Sequence, residues 1–261
     1  EKLARSSLED LMQIKVTTVL GAPQSRIATP AAVYVISNDD LRRSGARTIV
    51  EALRLVPGMY VGRVNSPSWV AGSRGLTGSS LTATRYLVLI DGRQVYDPLT
   101  SVTNWDTVDL VLADVDRIEV IRGPGATLWG ANAMNGVINI VTKASQDTQG
   151  TLVQVGAGGN GRSEVDVRQG GSSGPDASYR VWAKYARFGA FEGPTGGSLK
   201  DEWSTLRGGF RYDRTMDEET DLMVQGEAYT HPTAMESVLL PVPGADRQFE
   251  QVTMDDHVAG G

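Results

Sequence analysis

The sequence predicts an α+β domain followed by a set of antiparallel β-strands. Three observations carry that prediction. Residues 25–149 mix helical and strand signals, whereas residues 150–261 show strand alternation alone, broken by turns. Between Arg122 and Lys143 lies a glycine-studded segment with no charged side chain, flanked by the β-rich runs Ile118–Ile121 and Val137–Val141. A water-exposed loop of that length is normally polar, so this one is expected to be enclosed. Finally, the connections in the last zone alternate in length, a feature of sheets whose two ends meet different surroundings.

Residues 1–24 are a short leader containing Ile14-Lys15-Val16-Thr17-Thr18-Val19, a β-branched run followed by Gly21 and Pro23. It suits an edge strand, a tail, or a strand held ready to pair with another protein's sheet edge. Ala32–Ile36 reads as the first strand of the next domain. Asn38 and Asp39 supply cap chemistry for a short helix through Arg43, which Gly45 ends. Thr48 and Glu51 fit a capping box for a second helix with Ile49, Ala52, Leu53 and Val56 on one face, stopped by Pro57-Gly58. Tyr86–Ile90, Asp91-Gly92 and Arg93–Tyr96 give a hairpin with a type I′ turn. Val108–Val115 is expected to form a short helix.

In the last zone, Ser163–Gln169 and Tyr179–Tyr185 alternate charged or polar residues with Val, Ala and Tyr. Leu206–Tyr212 and Leu222–Tyr229 repeat the pattern, and Thr151–Ala157 is a weaker strand before them. Gly170–Asp176 and Asp213–Asp221 read as tight turns; Gly189–Asp201 and Thr230–Gln251 read as longer loops. Such alternation fits a soluble β-sandwich with its charged face in water, and it fits a membrane barrel wall. Tyr179, Tyr185, Tyr212 and Tyr229, near strand ends, tip the reading toward an aromatic girdle. Val258–Gly261 can begin a sixth strand. Five or six strands cannot close a lipid-facing barrel, so the membrane reading expects more strands than these.

Composition narrows the chemistry. The chain has 261 residues, a formal net charge of −6, no cysteine and two histidines, His231 and His257. Cysteine-based nucleophiles, disulfides and cysteine-ligated metals are excluded, and a multi-histidine centre is disfavoured. No basic block suits nucleic acid. Gly156–Gly161 has the glycines of a dinucleotide fingerprint, but strand alternation follows it rather than a helix. Asp255-Asp256-His257 reads as a solvated loop before it reads as a cation site. No acid/base cluster stands out, so neither a catalytic residue, a cofactor nor a resident metal is expected. No run reaches the ~18 apolar residues of a spanning helix, which leaves strands as the only route through a bilayer. No secretory leader is visible at Glu1–Arg5, so either the chain is cytosolic or a leader precedes it.

The order of motifs resembles the plug domain of TonB-dependent outer-membrane receptors. Ala31–Ile36 is similar to the family's first plug strand, and Leu53–Gly58 to its helix end. Ser73-Arg74-Gly75 resembles its Ile-Arg-Gly element with serine in the first place. Leu87–Gly92, Arg117–Pro124, Gly130–Ala133 and Gly136–Ile140 match closely. The likeness runs from residue 14 to about 149, with strand-like texture beyond.

The resemblance implies a segment at 1–24, a plug at 25–149 and the first strands of a barrel of about 22 strands at 150–261. It implies an energised receptor that imports a scarce nutrient, such as an iron–siderophore or cobalamin, across the outer membrane of a Gram-negative cell. Ile14–Val19 is then the TonB box, and TonB, the nutrient and outer-membrane lipid are the partners. Arg74 and Arg122 correspond to plug arginines that pair with acidic residues on the barrel wall. Two loops, Val64–Val70 and Val95–Trp105, would face outward, making Asn65, Ser66, Ser68, Trp69, Tyr96, Asn104 and Trp105 candidates for ligand contact. The alternative is a non-energised surface module for binding or adhesion.

Overall fold

The computed structural model describes residues 15–16, 24–25, 32–73, 86–95, 103–123, 133, 135–193, 196–217, 220–241, 249–255 and 259–260; side chains are described from 33 to 231. The chain divides into two compact units. The first holds residues 1–62, 70–108 and 115–142; the second holds residues 63–69, 109–114 and 143–261.

In the first unit, β1 (Lys15–Val16) pairs antiparallel with β2 (Gln24–Ser25). The central sheet takes β3 (Ala32–Ser37), β6 (Tyr86–Ile90), β7 (Arg93–Gln94), β8 (Val115–Arg122) and β9 (Gly136–Thr142), in the order β3-β8-β9-β6-β7. A separate hairpin pairs β4 (Met59–Arg63) with β5 (Trp69–Ser73). β6 runs parallel to β9, and all five of its residues are buried. A strand covered on both faces needs no alternation, which explains the unbroken Tyr-Leu-Val-Leu-Ile run. Val33, Leu87, Leu89, Ile121, Ala133 and Val137 pack as one apolar cluster. Where Gly136 faces Arg122 across the ladder, a Cβ would lie 1.8 Å from the Ile121 carbonyl oxygen. Its φ of 143° adds a second reason for glycine there.

The expected hairpin forms. Asp91 and Gly92 have φ of 47° and 84°, as a type I′ turn needs. The Asp91 carboxylate accepts hydrogen bonds from the Thr142 N–H and hydroxyl, both at 2.8 Å, so the turn is tied to the end of β9.

The caps fall close to expectation but not on it. Helix α1 (Asn38–Ser44) is capped by Ser37, not by Asn38 or Asp39: the Ser37 hydroxyl accepts from Asp40 N–H, and the Asp40 carboxylate accepts from Ser37 N–H. Gly45, at φ 73°, ends it as expected. Helix α2 (Ile49–Ala52) has Thr48 as its cap, yet the Glu51 carboxylate accepts from Arg47 N–H rather than closing the box on Thr48. A 3-10 turn, Leu53–Leu55, follows.

The second unit is built on an antiparallel meander: β10 (Gly150–Ala157), β11 (Ser163–Ser172), β12 (Ala177–Phe188), β13 (Trp203–Thr215), β14 (Asp221–Pro241) and β15 (Phe249–Asp255). β16 (Ala259–Gly260) pairs with β14 at Tyr229 and Thr230. After β10 the chain turns directly into β11, so no helix follows the glycines of 156–161.

Two expectations are corrected here. Much of Thr230–Gln251, read as a loop, is strand: Met235–Pro241 pairs with Phe249–Asp255. Pro232 misled the reading. It lies opposite the register shift between Ser204 and Leu206, where a missing N–H breaks no regular ladder bond. The helix expected over Val108–Val115 shrinks to one 3-10 turn, Leu112–Asp114, before β8 begins at Val115.

Candidate functional site

The alternation of β11 and β12 puts two chemically different faces on one sheet. Which face is covered decides between a sandwich and a membrane wall. The covered face is the charged one: Glu164, Asp166, Arg180, Lys184 and Arg207 are buried, with Lys184 only 1% exposed. The apolar face is open. Val153 and Val155 are 61% and 75% exposed, and Val165, Val167, Val181, Leu206 and Phe210 are exposed as well. A soluble sandwich buries the opposite face, and soluble monomers rarely leave so large an apolar surface uncovered. Register sets Tyr179 beside Tyr212 and Val181 beside Phe210 across strands. That order, charge inside and Val/Tyr/Phe outside, is the pattern of a strand wall in lipid. Among the described residues no helix is long and apolar enough to cross a membrane, which says nothing of strands.

The charged face grips residues 109–114. Lys184 Nζ lies 2.7 Å from Asp109 Oδ2 and donates to the Leu110 carbonyl at 3.1 Å. Arg207 donates to the Asp109 carbonyl at 3.1 Å. Arg168 donates to Asp114 Oδ1, and Arg180 Nε lies 3.7 Å from Asp114 Oδ2. Lys143 donates its side chain to the Ala113 carbonyl and its N–H to the Asp114 carbonyl, both at 2.8 Å. Here is the physical reason why Val108–Val115 does not become a helix. The carbonyls of Asp109 and Leu110, which would accept helical hydrogen bonds, are occupied by cationic side chains, and such bonds are stronger than neutral ones.

A second cluster ties residues 63–69 to the connection between β12 and β13. Arg63 stacks over Trp69 at 4.8 Å and Phe191 at 4.7 Å, and Arg162 stacks over Phe188 at 4.9 Å. The fully buried Asp201 accepts from Ser66 N–H at 2.6 Å and Phe191 N–H at 2.7 Å. Phe188 stacks on Trp203 with ring centroids 4.5 Å apart.

The residues singled out in the sequence fall as follows. Asn65 accepts from Ser68 N–H, and the Ser66 hydroxyl donates to the Gly189 carbonyl. Trp69 and Trp105 are buried at 8% and 3% exposure. Four of the seven ligand-contact candidates, Asn65, Ser66, Ser68 and Trp69, therefore have roles inside the second unit. Asn104 accepts, through its carbonyl, from Thr107 in a local turn. Arg122 donates to the Pro57 carbonyl. Tyr96, Arg74, Ile14, Thr17, Thr18 and Val19 lie outside the described residues, as do Asp256 and His257; Lys15 and Val16 are described only as backbone of β1. Among the described residues no cluster of potential metal ligands is found.

Arg117 is a further charged residue with a defined environment. Burial works to lower its pKa, but hydrogen bonds from its guanidinium to the fully buried Glu119 and to Asp116 outweigh burial and raise it. The reading from sequence missed Asp109 and Asp114. The available signal was two carboxylates spaced by five in an otherwise apolar Val-Asp-Leu-Val-Leu-Ala-Asp-Val stretch.

Residues 25–137 match the family model described as the TonB-dependent receptor plug domain. The vitamin B12 transporter BtuB of Vibrio cholerae serotype O1 is 32% identical over 158 residues, covering 60% of this chain and 25% of that protein. An iron-regulated outer membrane virulence protein of the same species is 36% identical over 146 residues, covering 54% and 21%. The chain thus spans about a quarter of the length of these curated relatives. The ferripyoverdine receptor of the outer membrane of Pseudomonas aeruginosa superposes with a TM-score of 0.63 at 20% identity, over 83% of this chain and 27% of that one. The ferric yersiniabactin uptake receptor FyuA from Yersinia pestis superposes with a TM-score of 0.62 at 17% identity, over 85% and 34%. At these identities the two structures establish the shared fold: a plug followed by antiparallel strands.

Proposed function

The chain carries the plug domain of the TonB-dependent receptors, and from that premise we propose that it acts in an outer-membrane importer of a scarce nutrient, driven by TonB. Residues 1–24 present a strand for TonB, residues 25–149 are the plug, and residues 150–261 are the first strands of the wall. The observation that carries the reading is the inverted burial of β11 and β12, with Lys184 and Arg180 covered and Val165 and Val181 open. The greasy face meets lipid; the charged face meets polar protein.

The cargo is an iron chelate, cobalamin or a nutrient of similar size, taken up in the outer membrane of a Gram-negative cell. The protein makes and breaks no covalent bond in this role. The strand Ile14–Val19 adds to a sheet edge of TonB through main-chain hydrogen bonds, so its exact side chains can vary.

The test is deletion of Ile14–Val19 in the full-length protein, followed by uptake and binding of cyanocobalamin and of a panel of iron chelates. Transport of the cognate probe should cease while surface binding persists. Unchanged uptake after the deletion would remove the energised reading and leave a passive binding module.

A further inference from the structure

The open face of β11–β14 is charged only at its two margins. Its outward positions on β12 are Tyr179, Val181, Ala183, Tyr185 and Arg187, all exposed. Register extends each of them sideways as a row of outward residues on β11, β13 and β14. From the Tyr179 row to the Tyr185 row, no outward position on these strands carries a charge. One row beyond Tyr185 stands Arg187, opposite Ser163 and Ser204. One row beyond Tyr179 stands Arg214, opposite Ala177 and Leu222. Both arginines are exposed, and neither guanidinium has an ion pair or hydrogen bond among the described residues. Arg168 and Arg211, on the covered face, instead meet Asp114 and Asp213.

The spacing of the two margins fits a bilayer. From Ala177, level with Arg214, to Arg187 the strand climbs about 34 Å at about 3.4 Å per residue. A tilt of about 45° turns that into about 24 Å along the membrane normal, close to the apolar band of about 25 Å in strand walls. A guanidinium is costly inside hydrocarbon, so each one belongs at headgroup level, with its stem laid along the apolar face.

We propose that Arg187 and Arg214 are lipid-headgroup sites, one at each leaflet, and that each binds the phosphate of an anionic phospholipid. Together they fix the height of the wall in the membrane. This rests on the importer reading, which places these strands in the outer membrane. Arginine suits the task because its fork presents two donors to a phosphate and its charge does not titrate.

The experiment mixes the full-length protein, in a non-ionic detergent, with dioleoylphosphatidylglycerol and counts the retained lipids by native mass spectrometry. Arg187→Gln and Arg214→Gln should each retain one lipid fewer than the unsubstituted protein, and the double substitution two fewer. Both positions are exposed, so the strands should fold in every variant. Arg187→Lys, which keeps the cation, should keep the lipid; a loss there too would make the contact one of packing and overturn the proposal. Unchanged lipid counts in the glutamine variants also overturn it. Inorganic phosphate should not displace the lipid, and displacement would hand the arginines to a free anion instead. A protein that retains no lipid at all removes the wall reading itself, whereas equal retention by all variants removes only the headgroup sites.

Discussion

The five-stranded sheet of the first unit and the meander of the second are both β-sheet, yet they solve opposite problems. β6 and β9 are apolar at nearly every position and covered on both faces, as in a water-soluble core. β11 and β12 alternate, and the side they cover is the charged one. Period-2 alternation therefore tells that a strand has two environments; it does not tell which is the interior. The neighbours decide that: here a run of backbone carbonyls and two aspartates takes the charged face, and the apolar face is left for a solvent that is not water.

Four substitutions break or sharpen this contrast, in order of expected effect. Lys184→Ala removes the cation beside the buried Asp109 and should cost about 3–5 kcal/mol in denaturant unfolding, the usual penalty for orphaning a buried charge. A loss under about 1 kcal/mol would mean that the charged face is wet and not an interior. Val181→Arg, on the open apolar face, should cost about 2–4 kcal/mol if that face lies near the bilayer midplane. In water the same exposed change is worth within about 0.5 kcal/mol, so the folding equilibrium in lipid vesicles separates wall from sandwich. Ser37→Ala, in the first unit, should cost about 1 kcal/mol through loss of the helix cap, regardless of lipid.

The smallest effect concerns Asp39. The hydrogen bond from Arg42 lowers its pKa below 3.8; slight desolvation opposes this, and the charges of Arg43 and Arg42 reinforce it. A depressed carboxyl contributes stability that is present above the unfolded value and is lost as pH falls through the folded one. Asp39→Asn should therefore leave a slightly less stable domain near neutrality and erase this acid-sensitive component. A titration of the Asp39 carboxyl by NMR that gave an unshifted midpoint would contradict it.

Much of the fold was legible. The Asp91-Gly92 turn, the Gly45 stop and the strands around Ile118 and Ile138 follow from local chemistry, and local chemistry is what a sequence displays. The cap at Ser37 was displaced by one residue because Asn38 and Asp39 are also good cap residues; only the Asp40 contact selects Ser37. The failures share a cause. Residues 109–114 and 235–241 owe their backbone conformation to distant partners, Lys184 and Arg207 in one case and Phe249–Asp255 in the other. The candidate site was legible as a pattern, charge at every second position, but not as a constellation. Which segment those charges hold is a matter of long-range pairing.

Asp201 has a consequence for how such a protein diversifies. One carboxylate holds Phe191 at the start of the excursion and Asp201 itself at its end, with Ser66 clipped to the same group. Whatever lies between them is an appendix whose mouth is stapled shut. Doubling the length of a flexible connection costs only about 0.6 kcal/mol in closure entropy, so insertions between Phe191 and Asp201 should leave the strands beneath undisturbed.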